Sequence, residues 1–210
     1  MSRSLGFIGS FNRFNEGGMP SLRPIWERTS VADNSLITAE QVSEHLKYPD
    51  TCPEIDLFIE AATLDIENYL EISLRESEWT GQLRLKEHER HFFFDKFEVR
   101  IDRRPLNSIV SVAVNGEVLD PTQYNLFPAN QQTACLEIDS SDDLESLDIV
   151  VNAGFTADNL PKNIQLALLQ TVASIDQNRG DCECECAGDL IPKIAKNLLG
   201  QHKFISLCAA

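Results

Sequence analysis

The sequence predicts an α+β chain: a helical bundle carrying an inserted small antiparallel β-sandwich or barrel, with extended arms at both ends. Three observations lead there. Apolar residues recur at three-and-four spacing from about 54 to 72, and again through 161–178 and 191–199. Between these blocks, from 78 to 151, the apolar period shifts toward two and is punctuated by Pro105, Pro121 and Pro128. At either end no period persists. With 210 residues, of which 42% are apolar, the chain can bury a core as one domain with an insertion or as two small domains. The expected division is an arm at 1–35, a first helical part at 36–77, a β insertion at 78–153, a second helical part at 154–200 and a tail at 201–210.

In order along the chain, the leader mixes Gly6, Gly9, Gly17, Gly18, Pro20 and Pro24 with isolated Phe7, Phe11, Phe14 and Trp26. It reads as an arm, either an ordinary loose terminus or a clasp whose aromatics dock on a neighbouring subunit. Thr38 with Gln41 three residues on is a capping box, so a short helix carrying Val42 and Leu46 is expected to end before Pro49. The next helix places Ile55, Phe58, Ile59, Ala62, Ile66, Tyr69 and Leu70 on one core face and leaves the other wet, with Glu54, Asp56 and Glu60 at the positive end of its dipole.

Candidate strands fall at 82–85, 90–102, 109–114, 117–119, 124–127, 135–138 and 148–152. Asn115-Gly116 is the clearest turn, because a two-residue type I′ hairpin needs two positive φ values. After Gly154, Pro161 opens a helix lined by Ile164, Ala167, Leu168, Val172 and Ile175. A last helix has Pro192 in its first turn, a stripe of Ile191, Ile194, Ala195, Leu198 and Leu199, and a stop at Gly200.

Composition excludes several classes. A formal charge of −15 argues against a surface that clings to the phosphates of nucleic acid. Residues 135–189 concentrate that charge, with twelve Asp and Glu against Lys162 and Arg179. The opening residues lack the apolar run of a secretory signal, and no later run approaches the ~18 residues of a membrane span. A soluble, intracellular protein with reduced thiols is therefore expected, and no membrane partner.

Catalytic patterns are missing: there is no GxSxG, no phosphate-binding loop ending in Lys-Ser or Lys-Thr, and no GxGxxG. No enzyme activity and no cofactor are expected. His88 and His91 would come together only on a helix, and their segment reads as strand or loop, which separates them; His45 and His202 stand apart. Asp139, Asp142, Asp143 and Glu145 lack the spacing of a calcium loop and read as a solvated acidic loop.

The segment CECEC is the one local oddity. Cys182, Cys184 and Cys186 would point to one side of an extended strand, where three soft donors could gather zinc or copper(I). No fourth ligand lies nearby, and Glu183 and Glu185 raise the thiol pKa, so a flexible acidic loop is the stronger reading, and no metal site is expected. A small metal- or thiol-dependent regulatory protein using this segment is the alternative to a purely structural role.

The segment RIDRRPLNSIVSVAVNGEVLDPTQYNL, residues 100–126, resembles the tailed-phage head-tail connector (adaptor) family, in which a strand leads through Arg-Pro-Leu to a Ser-Val repeat, a hairpin turn and a later Tyr. LITAEQVSEHLK and IDLFIEAATLDIENYLEISL resemble the family's two opening helices. LDIVVNAGFTADNLPKNIQLALLQTVASIDQNRG resembles its strand, Ala-Gly turn, Pro-started helix and closing Asn-Arg. Each piece is a core-and-turn pattern, and the specificity lies in their order across about residues 36–200. The leader, the CECEC loop and the tail after Gly200 fall outside the pattern.

The resemblance implies a structural virion protein of the particle neck, made in the host cytoplasm. It implies a ring of about twelve copies under the portal protein, joined head to tail, that continues the DNA channel to the next neck or tail component. DNA would pass without specific binding, repelled by acidic residues on the channel wall. The tail, through Lys203, Phe204, Ile205 and Leu207, is expected to dock on the portal. The leader aromatics Phe7, Phe11, Phe14 and Trp26 are candidate contacts between subunits. So are Arg103 and Arg104, which with Arg100 are interleaved with Glu98 and Asp102 in the manner of salt bridges between subunits, not of a basic groove for nucleic acid.

Overall fold

A computed structural model of the chain describes residues 21–32, 35–48, 54–85, 96–130, 133–139, 144–178 and 190–203. Phe7, Phe11 and Phe14, the HERH and CECEC segments, and the tail beyond Lys203 lie outside the described residues. The chain is mixed α and β with mainly antiparallel sheets, in two units: Met1–Val31 with Ser77–Gly154, and Ala32–Glu76 with Phe155–Ala210.

Within the expected arm at 1–35, residues 21–31 belong to the first unit. Residues read as structureless supply two strands, β1 (Ser21–Leu22) and β2 (Ile25–Val31). The reason is local. No residue of β2 is fully buried, so no apolar alternation marks it, and pairing with β3 (Ser77–Arg84) makes it a strand. The start of β3 was equally hidden: Ser77 to Gly81 reads as polar, yet it is bonded on both sides, to β2 and to β9 (Ser146–Ala153).

The remaining strands are β4 (Lys96–Ile101), β5 (Leu106–Val114), β6 (Glu117–Val118), β7 (Tyr124–Asn130) and β8 (Thr133–Asp139). One sheet runs β1-β4-β8-β7, with β1 parallel to β4; the other runs β2-β3-β9-β5-β6 and is antiparallel throughout. Strand alternation aims Phe97, Val99, Ile101, Leu136 and Ile138 of the first sheet, and Leu83, Val112, Leu147, Ile149 and Val151 of the second, into one apolar cluster.

Asn115 and Gly116 have φ of 52° and 85°, the positive pair expected of the hairpin turn. The Asn115 side chain does more than tolerate that geometry. Its Oδ1 accepts the backbone N–H groups of Glu145 (2.8 Å) and Ser146 (2.9 Å), pinning the turn to the start of β9.

The second unit holds α1 (Ala39–Leu46), α2 (Ile55–Leu70), α3 (Lys162–Gln177) and α4 (Lys193–Leu199). The Thr38–Gln41 capping box is present, and Lys47 closes α1 in the left-handed region. Pro161 and Pro192 stand immediately before α3 and α4. Gly200 does not end the last helix as a left-handed cap: its φ is −54°, and the chain continues through a 3-10 turn at Gly200–His202.

Helix α3 packs on α1, α2 and α4 around Ile55, Ala62, Ile66, Leu168, Val172 and Leu199. Glu67 is buried at the end of α2. Its Oε1 accepts the backbone N–H groups of Leu74 (2.8 Å) and Arg75 (3.3 Å), which turns the chain sharply out of the helix. No helix among the described residues is long and apolar enough to cross a membrane.

Candidate assembly surfaces

Ligand chemistry finds little support among the described residues. No group of three or more His, Cys, Asp or Glu is placed to hold a metal. His45 Nε2 lies 3.4 Å from the Gln170 amide, and His202 lies 3.2 Å from that of Gln201, with burial lowering the His202 pKa. Cys135 is half-buried with Sγ 3.8 Å from Glu98 Oε2, and burial, reinforced by that carboxylate, pushes its pKa up to about 11. A thiol held neutral in this way is a poor nucleophile and a poor metal ligand. Cys182, Cys184 and Cys186 lie outside the described residues.

Four arginines of the β unit, Arg28, Arg84, Arg100 and Arg103, are engaged by their own chain. Arg100 Nε sits 2.8 Å from Asp102. Arg28 and Arg103 both lie over the Trp79 ring, at 4.7 Å and 4.3 Å from its centroid. Each such contact contributes about 0.5–1 kcal/mol, more where water is excluded. Arg84 donates to both carboxylate oxygens of Asp148, at 3.0 and 3.1 Å. Arg104 is half-buried ahead of a cis peptide to Pro105.

Trp26, expected in the arm, lies on β2 across from Gly81 of β3 and packs against the β core. A Cβ at position 81 would come within 2.7 Å of its ring, so the absent side chain is what admits the indole. Of the residues proposed from sequence to join subunits, Trp26 and Arg103 are thus placed by contacts within the chain. No signal in the leader alone pointed to this, because its partners lie more than fifty residues away.

Of the expected portal-docking residues, only Lys203 is described. Its Nζ lies 4.1 Å from the centroid of Tyr69 on α2, with Lys196 of α4 at 5.8 Å from the same ring. Lys203 is thus held on α2.

Sequence reasoning missed the apolar residues left on the outside. On the helical unit these are Leu57 (66% exposed) and Leu64 on α2, Leu166 on α3, and Leu190 and Ile194 (64% exposed) at α4. On the β unit they are Val31, Val110, Val118, Leu126 and Phe127, on β2, β5, β6 and β7. Of these strands, β2, β6 and β7 are sheet edges. The signal was available at α2, where Leu57 and Leu64 stand seven apart and off the core stripe.

Acidic charge is uneven as well. Residues 32–76 hold eleven Asp and Glu against Lys47 and Arg75, whereas residues 190–203 hold three lysines and no acid. Exposed apolar residues with charge beside them are the composition of protein–protein contact surfaces.

The fold has solved counterparts. A chain in the neck of an empty gene transfer agent (GTA) particle computed with C6 symmetry superposes with a TM-score of 0.64 at 14% identity, covering 89% of this chain and 98% of that one. A chain in the virion of the native GTA particle gives 0.65 at 12% identity, with 89% and 98% covered. A third, from the neck of the native particle computed with C12 symmetry, gives 0.62 at 15% identity, with 88% and 98% covered. No family model matches the chain, and no curated protein matches it. The class defined is thus an α+β chain sharing its fold, nearly end to end, with proteins of a phage-like particle.

Proposed function

We propose that this protein is a structural component of a particle neck: a head-tail connector that forms a ring beneath the portal, extends the DNA channel and receives the next neck or tail component. One observation carries the reading. The similarity covers 98% of each neighbouring chain and 88–89% of this one, so both units and their order along the chain are shared, not a single common motif. A neighbour solved in a neck with C12 symmetry supports a ring of about twelve copies, closed by head-to-tail contacts.

The acidic helical unit supports a wall that repels phosphate, so DNA slides past without binding. The tail from Lys203 onward, with Phe204, Ile205 and Leu207, is the portal-docking segment in this reading. Electron microscopy of the particle neck tests the whole proposal: a ring of this chain against the portal is expected, and a neck without it would end the idea. Deleting residues 203–210 tests the tail, since portal attachment should be lost while the ring-forming surfaces remain.

The leader needs a narrower test than its composition suggested. Removing residues 1–34 would also remove β1 and β2, and with them Trp26 from the β core. Only a truncation ending before Ser21 separates a clasp by Phe7, Phe11 and Phe14 from damage to the β unit.

A further inference from the structure

We propose that neighbouring copies of this chain join through the outward face of α2 on one copy and the outward face of α4, with Leu190, on the next. The inference deepens the ring reading and rests on it. Helix α2 is apolar on two sides. Ile55, Phe58, Ala62, Ile66 and Leu70 face the core, while Leu57, Ala61 and Leu64 recur at four-and-three spacing along the opposite side. Leu57 and Leu64 are more than half exposed in the chain alone. This is the spacing of a helix seam, which a second helix covers by ridge-into-groove packing.

Charge selects the occupant. The seam is flanked by Asp56, Glu60 and Glu71, all exposed; Glu60 lies 3.6 Å from Arg75 of its own chain, so the selection falls to Asp56 and Glu71. A complementary surface therefore needs apolar residues with cations beside them. The same molecule offers one: Leu190 and Ile194 are exposed at α4, Lys193 stands exposed between them, and from Leu190 to Lys203 the charged residues are all lysines, Asp189 being the nearest acid in sequence. Among the described residues neither face is covered, so each copy offers one acidic and one basic apolar face. Two different faces that fit each other make a heterologous contact, the kind that closes into a ring when the rotation between copies divides a full turn. Opposite charges at the rim set the register and disfavour like-to-like pairing of two acidic α2 faces.

The test is made in assembled particles. A photoreactive benzoylphenylalanine replaces Leu64, particles are irradiated, and cross-linked peptides are mapped by mass spectrometry. A covalent dimer linking position 64 to a peptide within 190–197 of a second copy is expected. Charge reversal gives an independent readout: Asp56→Lys and Lys193→Glu should each lower incorporation into particles about tenfold, and the double variant should restore it to within about twofold. A single cooperative thermal transition in each variant, shifted only as a first-turn charge reversal shifts it (down for Asp56→Lys, up for Lys193→Glu), shows that folding is intact. A cross-link to another element, to the portal or to another neck protein, no cross-link in particles that carry the chain, or no rescue by the double variant overturns this pairing and leaves the neck reading standing. Necks that lack the chain overturn both.

Discussion

The β unit and the helical unit differ in how many cations they set against their acids. In the β unit, Arg84 meets Asp148, Arg100 meets Asp102, and Arg28 and Arg103 lie over one tryptophan. In the helical unit, acids outnumber cations by nine across residues 32–76; Arg75 meets Glu60, and Asp56 and Glu71 lie at the surface of α2 with its exposed leucines. The difference teaches where assembly contacts are to be sought. A cation already paired within its own chain gains little from a partner, whereas an excess of acid around exposed apolar residues gains both area and complementarity.

The contrast can be broken first from the inside. Trp26 and Trp79 are the only tryptophans and both lie in the β unit, so their fluorescence reports that unit, while helical circular dichroism reports chiefly the other. Phe97→Ala removes a large side chain from the β core and should cost about 3–5 kcal/mol, seen as an early fluorescence transition in urea. Glu67→Ala should cost about 2–3 kcal/mol by leaving two buried backbone N–H groups without an acceptor, and should shift the circular dichroism transition.

Smaller effects sharpen the picture. Gly81→Ala forces a methyl group into the Trp26 ring and should destabilise by about 1–3 kcal/mol, with a changed emission maximum. An unaltered spectrum would show that the indole is held elsewhere. Leu57→Ser, on the exposed face of α2, should move stability by less than about 0.5 kcal/mol in the isolated chain while reducing incorporation into particles.

The smallest change is chemical. Cys135, its pKa raised by burial to about 11, stays protonated in the folded chain at pH 8, so alkylation should run at least about tenfold slower than in urea. Stability shifts in the same direction. A thiol whose folded pKa lies above its unfolded value favours the fold below the unfolded pKa, and that contribution is lost as pH rises from about 9 toward 11.

Much of this was legible from residues that act on near neighbours. Thr38 with Gln41, Asn115 with Gly116, and Pro161 announce their structures because a cap, a hairpin turn and a helix start are each completed within a few residues. The core stripe of α2 was equally readable. Strand β2 was not, since a half-exposed edge strand carries no apolar period and depends on Gly81 and Trp79 far along the chain.

The candidate surfaces divide the same way. Sequence alone determined the α+β class, the capped helices, the hairpin and the acidic balance, because composition and short-range geometry are properties of a local stretch of chain. Only tertiary structure decided that Trp26 and Arg103 are held within the β unit, and that Leu57, Leu64 and Ile194 are left outside. Whether an apolar side chain is core or interface depends on what its own chain brings to cover it, and that is fixed by packing across the fold.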